Sequence, residues 1–113
     1  MLFHENSEQK IEKLLEKKKS DKIVKFLGEK DPKVVSEALK ALGEIGDETS
    51  INSVSSYIDS ENTEIRQAAI EATGAIGTEY SKTFLQQRLM KEKDEKMKAL
   101  ILDMIHQINE HKG

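Results

Sequence analysis

Ala38-Leu39-Lys40-Ala41-Leu42-Gly43-Glu44-Ile45-Gly46 is written a second time, 31 residues further on, as Ala69-Ile70-Glu71-Ala72-Thr73-Gly74-Ala75-Ile76-Gly77. Both copies keep two alanines, an inner glycine and a closing Ile-Gly in register. A period of this length marks an array in which each unit buries its apolar face only against its neighbours. The apolar positions within each copy recur at helical spacing. Gly43 lies inside its helix at a cost of about 1 kcal/mol relative to Ala, and its recurrence as Gly74 points to a neighbouring helix that comes close. Gly46 and Gly77 follow the last periodic residue of each copy and read as left-handed C-terminal caps.

Working outward, Asp31-Pro32 opens the first copy: an N-cap acid, then proline at the first helical position, where its missing N–H costs nothing. Val34, Val35, Ala38, Ala41, Leu42 and Ile45 form its inward stripe. A helix over 49–59 follows, with Ile51, Val54 and Ile58 inward; its serines make it weak by propensity, so packing must hold it. Asn62 takes the place of Asp31 in the second copy, whose stripe is Ile65, Ala68, Ala69, Ala72 and Ile76. Its partner helix runs over 80–91, with Leu85 and Leu89 inward. A last helix over 94–109 matches best with one inserted residue. There Met97, Ile101, Met104, Ile105 and Ile108 follow Ile65, Ala69, Ala72, Thr73 and Ile76. Upstream, 7–18 carries Ile11, Leu14 and Leu15 and ends in Lys17-Lys18-Lys19, cations suited to a helix C-terminus. A short helix over 20–28 has Ser20 as N-cap and Gly28 as its close. The expected fold is all-α, about seven helices in one domain over 1–113. Repeat cores occupy 31–61 and 62–93, and partial repeats 7–30 and 94–110.

The segment Asp31-Pro32-Lys33-Val34 and residues 38–47 and 62–77 together resemble HEAT-like repeats, in particular the short subtype named after the phycobilisome-lyase proteins. That pattern has an acid-proline start, a Val-Arg step, an A-x-x-A-L-G-x-I-G-D core and a second helix. The resemblance implies a right-handed α-α superhelix of helical hairpins, whose second helices line a concave face. It also implies protein binding, with chromophore delivery, metal or DNA binding in some relatives. The Val-Arg step survives here only as Ile65-Arg66, and the Gly-Asp step only as Gly46-Asp47. The family's acid–arginine pairing between neighbours therefore falls to Asp47 with Arg66, where a surface pair contributes ~0–1 kcal/mol.

Composition narrows the function. The chain is 36% hydrophobic and 35% charged, with 4% aromatic residues, one Pro and no Cys. Thiolate nucleophiles, disulfides and cysteine-bearing zinc sites are excluded. No apolar run approaches a membrane span and the start lacks a signal-peptide core, so a cytoplasmic location is expected. Residues 1–30 carry eight Lys/Arg against six Asp/Glu, 31–81 three against ten, and 82–113 seven against five. An array whose middle is net −7 is a poor surface for phosphate backbones, and nucleic acid is not an expected partner.

No catalytic residue and no cofactor is assigned. His4-Glu5 is the one His-Glu pair, and His106 and His111 are five apart, poor spacing for one helical face; no metal site is expected. Glu37, Glu44, Glu64 and Glu71 lie on polar faces beside Lys33 and Lys40 and read as a solvated convex side with local ion pairs. Aligning the second helices gives columns on the inner face: Asp21, Asn52 and Thr83; Lys25, Ser56 and Gln87; Gly28, Asp59 and Met90. Asp21, Lys25, Asn52, Ser56 and Gln87 are the candidate protein-binding residues. The face is polar and small, carries no aromatic or arginine anchor, and equally suits plain solvation. The last helix departs from the small-residue pattern. Leu100 replaces Glu37 and Ala68, Met104 replaces Ala41 and Ala72, and Leu102 adds apolar surface. Three readings stay open: the helix rotates them inward, the N-terminal helix covers them, or Leu100, Leu102 and Met104 pair with a second copy across a two-fold axis. The function read from these residues is a non-catalytic module for protein–protein interaction or scaffolding. The alternative is a lyase-type accessory factor that binds or delivers a tetrapyrrole-like ligand.

Overall fold

The computed structural model describes residues 5–111. These form α1 (Ser7–Glu16), α2 (Ser20–Ile23, continued by a 3-10 turn over Val24–Gly28), α3 (Pro32–Ile45), α4 (Glu48–Ser55), α5 (Thr63–Ile76), α6 (Glu79–Lys91) and α7 (Glu95–Glu110), with no strand among the described residues. The odd-numbered helices pack side by side as one layer, α1 on α3 on α5 on α7. The shorter α2, α4 and α6 form a second layer against them. The stack measures 51 × 30 × 17 Å with a radius of gyration of 14.3 Å, slightly above the ~13 Å of a compact domain of this length.

Local chemistry sets the helix ends. Asp31 caps α3 by accepting the Lys33 amide at 3.0 Å, with Pro32 in the first turn. Asn62 caps α5 through the Ile65 amide at 3.0 Å. Gly46 and Gly77 both adopt φ +67° and close α3 and α5, so the left-handed caps stand where the repeat placed them. Elsewhere the boundaries differ from the sequence pattern. The first helix ends at Glu16, and Lys18 takes a positive φ of 55° to reverse the chain. Ser20 is not a cap but the first residue of α2; it is buried, and its hydroxyl donates to Asp47 Oδ2 at 2.6 Å. Gly28 ends its 3-10 turn without a left-handed φ. The serine-rich α4 stops at Ser55 rather than 59. Ser55 and Ser56 both turn their hydroxyls onto the Asn52 carbonyl, the competition with backbone bonding that makes serine a weak helix former.

The core lies between the two layers and along the first. Ala38, Leu39, Leu42, Ala69, Ile70, Val54, Leu85 and Ile101 are fully buried. Gly43 lets α3 and α5 come close: a Cβ added there would lie 2.8 Å from Ala72 Cα and 2.9 Å from its Cβ. At Gly74 the same addition would overlap the Met104 side chain of α7. The two glycines thus serve one purpose against different opponents, a backbone in one case and a thioether chain in the other.

Helix propensity favours alanine at both glycines by about 1 kcal/mol, so the sign of each substitution is decided by what the new methyl meets. Gly43→Ala must push the α3 and α5 backbones apart and is expected to destabilise by about 1–3 kcal/mol, the usual cost of overpacking. Gly74→Ala meets a side chain that can change rotamer, and is expected to cost clearly less. Urea denaturation of both variants checks the order; a Gly43→Ala protein as stable as wild type contradicts the packing described.

Candidate functional site

The second-helix layer presents Asp21, Lys25, Asn52, Ser56 and Gln87, every one exposed. Asp21 and Lys25 come from α2 and its 3-10 continuation, Asn52 from α4 and Gln87 from α6, while Ser56 caps the C-terminus of α4. An anchor unseen in the sequence stands beside them. Tyr80 is 57% and Met90 88% exposed, and on α6 they share one stripe with Thr83 and Gln87, since steps of three and four residues stay on one helical face. Tyr80 is braced by Phe84, edge to face with ring centroids 5.1 Å apart. The face is therefore small and polar over α2 and α4 but carries two large apolar side chains on α6. Alignment by column misses Tyr80 because it lies one turn before Thr83.

Successive second helices are tied by polar contacts at their ends. Asp47 caps α4, its Oδ1 accepting the Ser50 amide at 2.9 Å and the Ser50 hydroxyl at 2.7 Å, while Oδ2 accepts from Ser20. Burial pushes its carboxyl up, but the hydrogen bonds from Ser20 and Ser50 outweigh that and hold it below the usual aspartate value. Ser20, Ser50 and Ser81 are all buried near the start of their helices, a periodic signal that was present in the sequence. At the other end, the Tyr57 hydroxyl donates to the Leu27 carbonyl at 3.4 Å. Arg88, the residue 31 positions after Tyr57, donates to Asp59 Oδ1 at 2.8 Å.

The Asp47–Arg66 pair expected from the sequence does not form, because each residue is committed elsewhere. Arg66 donates from Nε and Nη2 to the two carboxylate oxygens of Glu92, at 3.0 and 3.3 Å, and from Nη1 to the Ser60 carbonyl at 3.0 Å. Glu92 also accepts from Arg88 Nε at 3.0 Å and from the Asp94 amide at 3.1 Å. Its residue is 4% exposed. Burial raises the Glu92 carboxyl, but the Asp94 amide, Arg66 and Arg88 together bring it below the ordinary glutamate value. Burial lowers Arg88 as well, and Asp59 and Glu92 reverse that, leaving it raised. The carboxylate thus binds α5, α6 and the α6–α7 loop together, and its two arginines extend the link to Ser60 and Asp59 in the α4–α5 loop.

The first-helix side is shaped differently. A groove of about 710 Å³ runs between α3 and α5, against 380 and 160 Å³ for the furrows between α1 and α3 and 280 Å³ for that between α5 and α7. Its walls carry Glu37, Lys40, Glu44, Glu64 and Glu71, and Ala68, Ala72 and Ala75 lie along the α5 side. The sequence pattern suggests local ion pairs here. In the structure neither these four glutamates nor Lys40 has an ion-pair partner among the described residues; the lysines that do pair are elsewhere, such as Lys82 with Glu79 and Lys98 with Glu95. On α7, Leu100 and Met104 are half-buried and packed against the core, which leaves Leu102, 54% exposed, as the one large apolar side chain wet on that helix among the described residues. The helix has rotated the others inward.

Of the three histidines, His4 lies outside the described residues. His106 Nε2 is 3.1 Å from Glu110 one turn on, and no group of three His, Asp or Glu among the described residues is placed to hold a metal ion. No helix among them is long and apolar enough to cross a membrane.

The sequence profile that describes HEAT repeats matches residues 20–105. The chain belongs to the HEAT repeat family. Comparison with curated proteins finds no match, and neither does comparison with solved structures. The match runs from α2 into α7 of this HEAT protein, and the Glu92 cluster joins α5 and α6 to the loops on either side of them.

Both Asp47 and Glu92 titrate below their unfolded values, roughly 3.9 and 4.3, so the folded state binds fewer protons. The stability they supply is complete above about pH 5, and is lost as the pH falls through the lower folded values. Glu92→Gln is expected to cost about 3 kcal/mol at neutral pH, by leaving Arg66 and Arg88 without their carboxylate, and to flatten the acid limb. Urea midpoints recorded across the acid range for both proteins test this; parallel limbs mean that Glu92 contributes nothing to acid sensitivity.

Proposed function

We propose that this HEAT repeat protein is a non-catalytic interaction module that takes a segment of a partner protein on its second-helix face. HEAT repeats generally mediate protein–protein contact, and the exposed pair Tyr80 and Met90 carries the assignment of the face. Interfaces concentrate their binding energy in a few large anchors surrounded by near-neutral polar contacts. Here the two anchors stand on α6, and Asp21, Lys25, Asn52, Ser56 and Gln87 supply hydrogen-bonding groups beside them. Methionine adapts its shape to what it meets, and tyrosine brings a large area at low entropy cost. A tetrapyrrole carrier of the lyase type would need a broad apolar slot; the α3–α5 groove, walled by four glutamates, is a poor match for a ring bearing carboxylates.

Two outcomes are expected. A partner recovered with the wild-type chain from its native lysate is lost, or bound at least about tenfold more weakly, with Tyr80→Ala/Met90→Ala, while the melting temperature hardly moves. Unchanged affinity in that variant places the site elsewhere. Pairing of two copies through α7 would have Leu102 alone as its exposed apolar contact, worth at most about 1.5–3 kcal/mol. Sedimentation at micromolar concentration is therefore expected to show a monomer, unaltered by Leu102→Glu; a dimer that Leu102→Glu dissolves reinstates the pairing.

A further inference from the structure

The α3–α5 groove lies outside the face assigned above, and its dimensions follow from sequence. Gly43 lets the two backbones meet at Ala72, while α5 presents Ala68, Ala72 and Ala75 where α7, at an offset of 32, has Leu100, Met104 and Gln107. The furrow that α7 fills with large side chains is left open between α3 and α5. Its floor is apolar. Each wall carries two glutamates seven residues apart, Glu37 with Glu44 and Glu64 with Glu71, which is two helical turns or about 10.5 Å. None of the four is neutralised within the described chain, and Lys40 is the one cation among the lining residues. At the same groove the hydroxyl of Ser36 is shielded from solvent without a hydrogen-bond partner, a condition that costs free energy unless something meets it.

We propose that this groove docks a cationic amphipathic helix of a partner protein. A third helix laid between α3 and α5 sets a ridge of small or medium apolar side chains on the alanine floor. Lysines or arginines along its two edges, repeating every seven residues, then face the paired glutamates on both walls. Helix-in-groove recognition works this way, with apolar anchors for affinity and edge charges for orientation. Lys40, between Glu37 and Glu44, rejects a cation at the middle of one edge and so sets the register. Rotation of Ser36 about its Cα–Cβ bond offers its oxygen to a donor on the incoming helix. An acidic or uncharged helix gains none of these contacts, and an extended strand does not repeat its side chains at this spacing.

The probe is a synthetic, fluorescently labelled amphipathic peptide of about 14 residues, ~21 Å long as a helix, with an alanine–leucine ridge edged by lysines. Its anisotropy is read against the full chain. Binding is expected to weaken at least about tenfold in Glu44→Gln/Glu71→Gln, and equally in Ala68→Leu, which fills the floor with the residue α7 already uses there and leaves the charge intact. A control that removes the same charge elsewhere, Glu16→Gln/Glu29→Gln, is expected to change affinity by less than about twofold, and circular dichroism confirms that each variant is folded. Three results overturn the proposal: no binding by the wild type, the same loss in the control as in the groove variant, or unchanged affinity in Ala68→Leu. Tyr80→Ala/Met90→Ala separates this site from the second-helix face. Retained peptide binding in that variant supports the groove even if the other face proves inert, and loss of binding there assigns the peptide to the other face and sinks the groove.

Discussion

The two central helices of the core meet through a glycine and a backbone. Because Gly43 has no side chain, α3 and α5 approach until a single added carbon would stand 2.8 Å from Ala72 Cα. This contact sets the separation of the two central helices, and the buried alanines around it, Ala38, Ala41, Ala69 and Ala72, follow from the same demand. Close packing of small residues returns less transfer free energy per side chain than burying leucine, but it lets larger groups meet beside it: Leu39, Leu42 and Ile70 are fully buried at the same junction. The hairpins on either side inherit their positions from it, as does the width of the groove above.

Where packing is thin, charge and hydrogen bonding take over. Glu92 is nearly inaccessible, an environment that ordinarily neutralises a carboxyl group. It remains ionised because a backbone amide and two guanidinium groups converge on its two oxygens. A buried ion pair with poor geometry is a liability; here Arg66 meets the carboxylate with two nitrogens, and the remaining nitrogen of that fork is taken by the Ser60 carbonyl. Asp47, itself exposed, ties the preceding hairpin with serines instead of arginines. Two neighbouring junctions thus reach a similar end with unrelated residues.

That substitution of chemistry explains what the sequence disclosed and what it withheld. The period, the caps at Asp31 and Asn62, the left-handed glycines and the inner glycines were all legible, because each is a local demand that the same residue type meets in both copies. The partners of Arg66 were not. A repeat pattern pairs residues that stand in equivalent places, whereas Glu92 sits in a loop between helices and has Glu61 as its counterpart, which makes no such contact. Leu39 and Ile70 fall outside the inward stripes for another reason: they occupy a second buried face of helices sandwiched on three sides, wider than a single amphipathic stripe. Among the candidate surface residues, the exposure of Asp21, Lys25, Asn52, Ser56 and Gln87 was readable from helical phase. Met90 also fell in one of those columns, whereas Tyr80, one turn before Thr83, lay outside them and its place beside Met90 was not legible.

The two layers are joined by different means, and the difference has a mechanical meaning. Along α3 and α5 the backbones are in contact and resist shear, as close-packed interiors do. Between α2 and α4, and between α4 and α6, contacts are few, and long polar side chains such as Arg88 and Tyr57 span the gaps. Such links tolerate rotation and small extension better than interlocked side chains. The molecule is therefore built like a bound book, stiff at its spine and compliant at its fore-edge. Small rotations about the α3–α5 seam alter the spacing of α2, α4 and α6 more readily than that of the interlocked first layer.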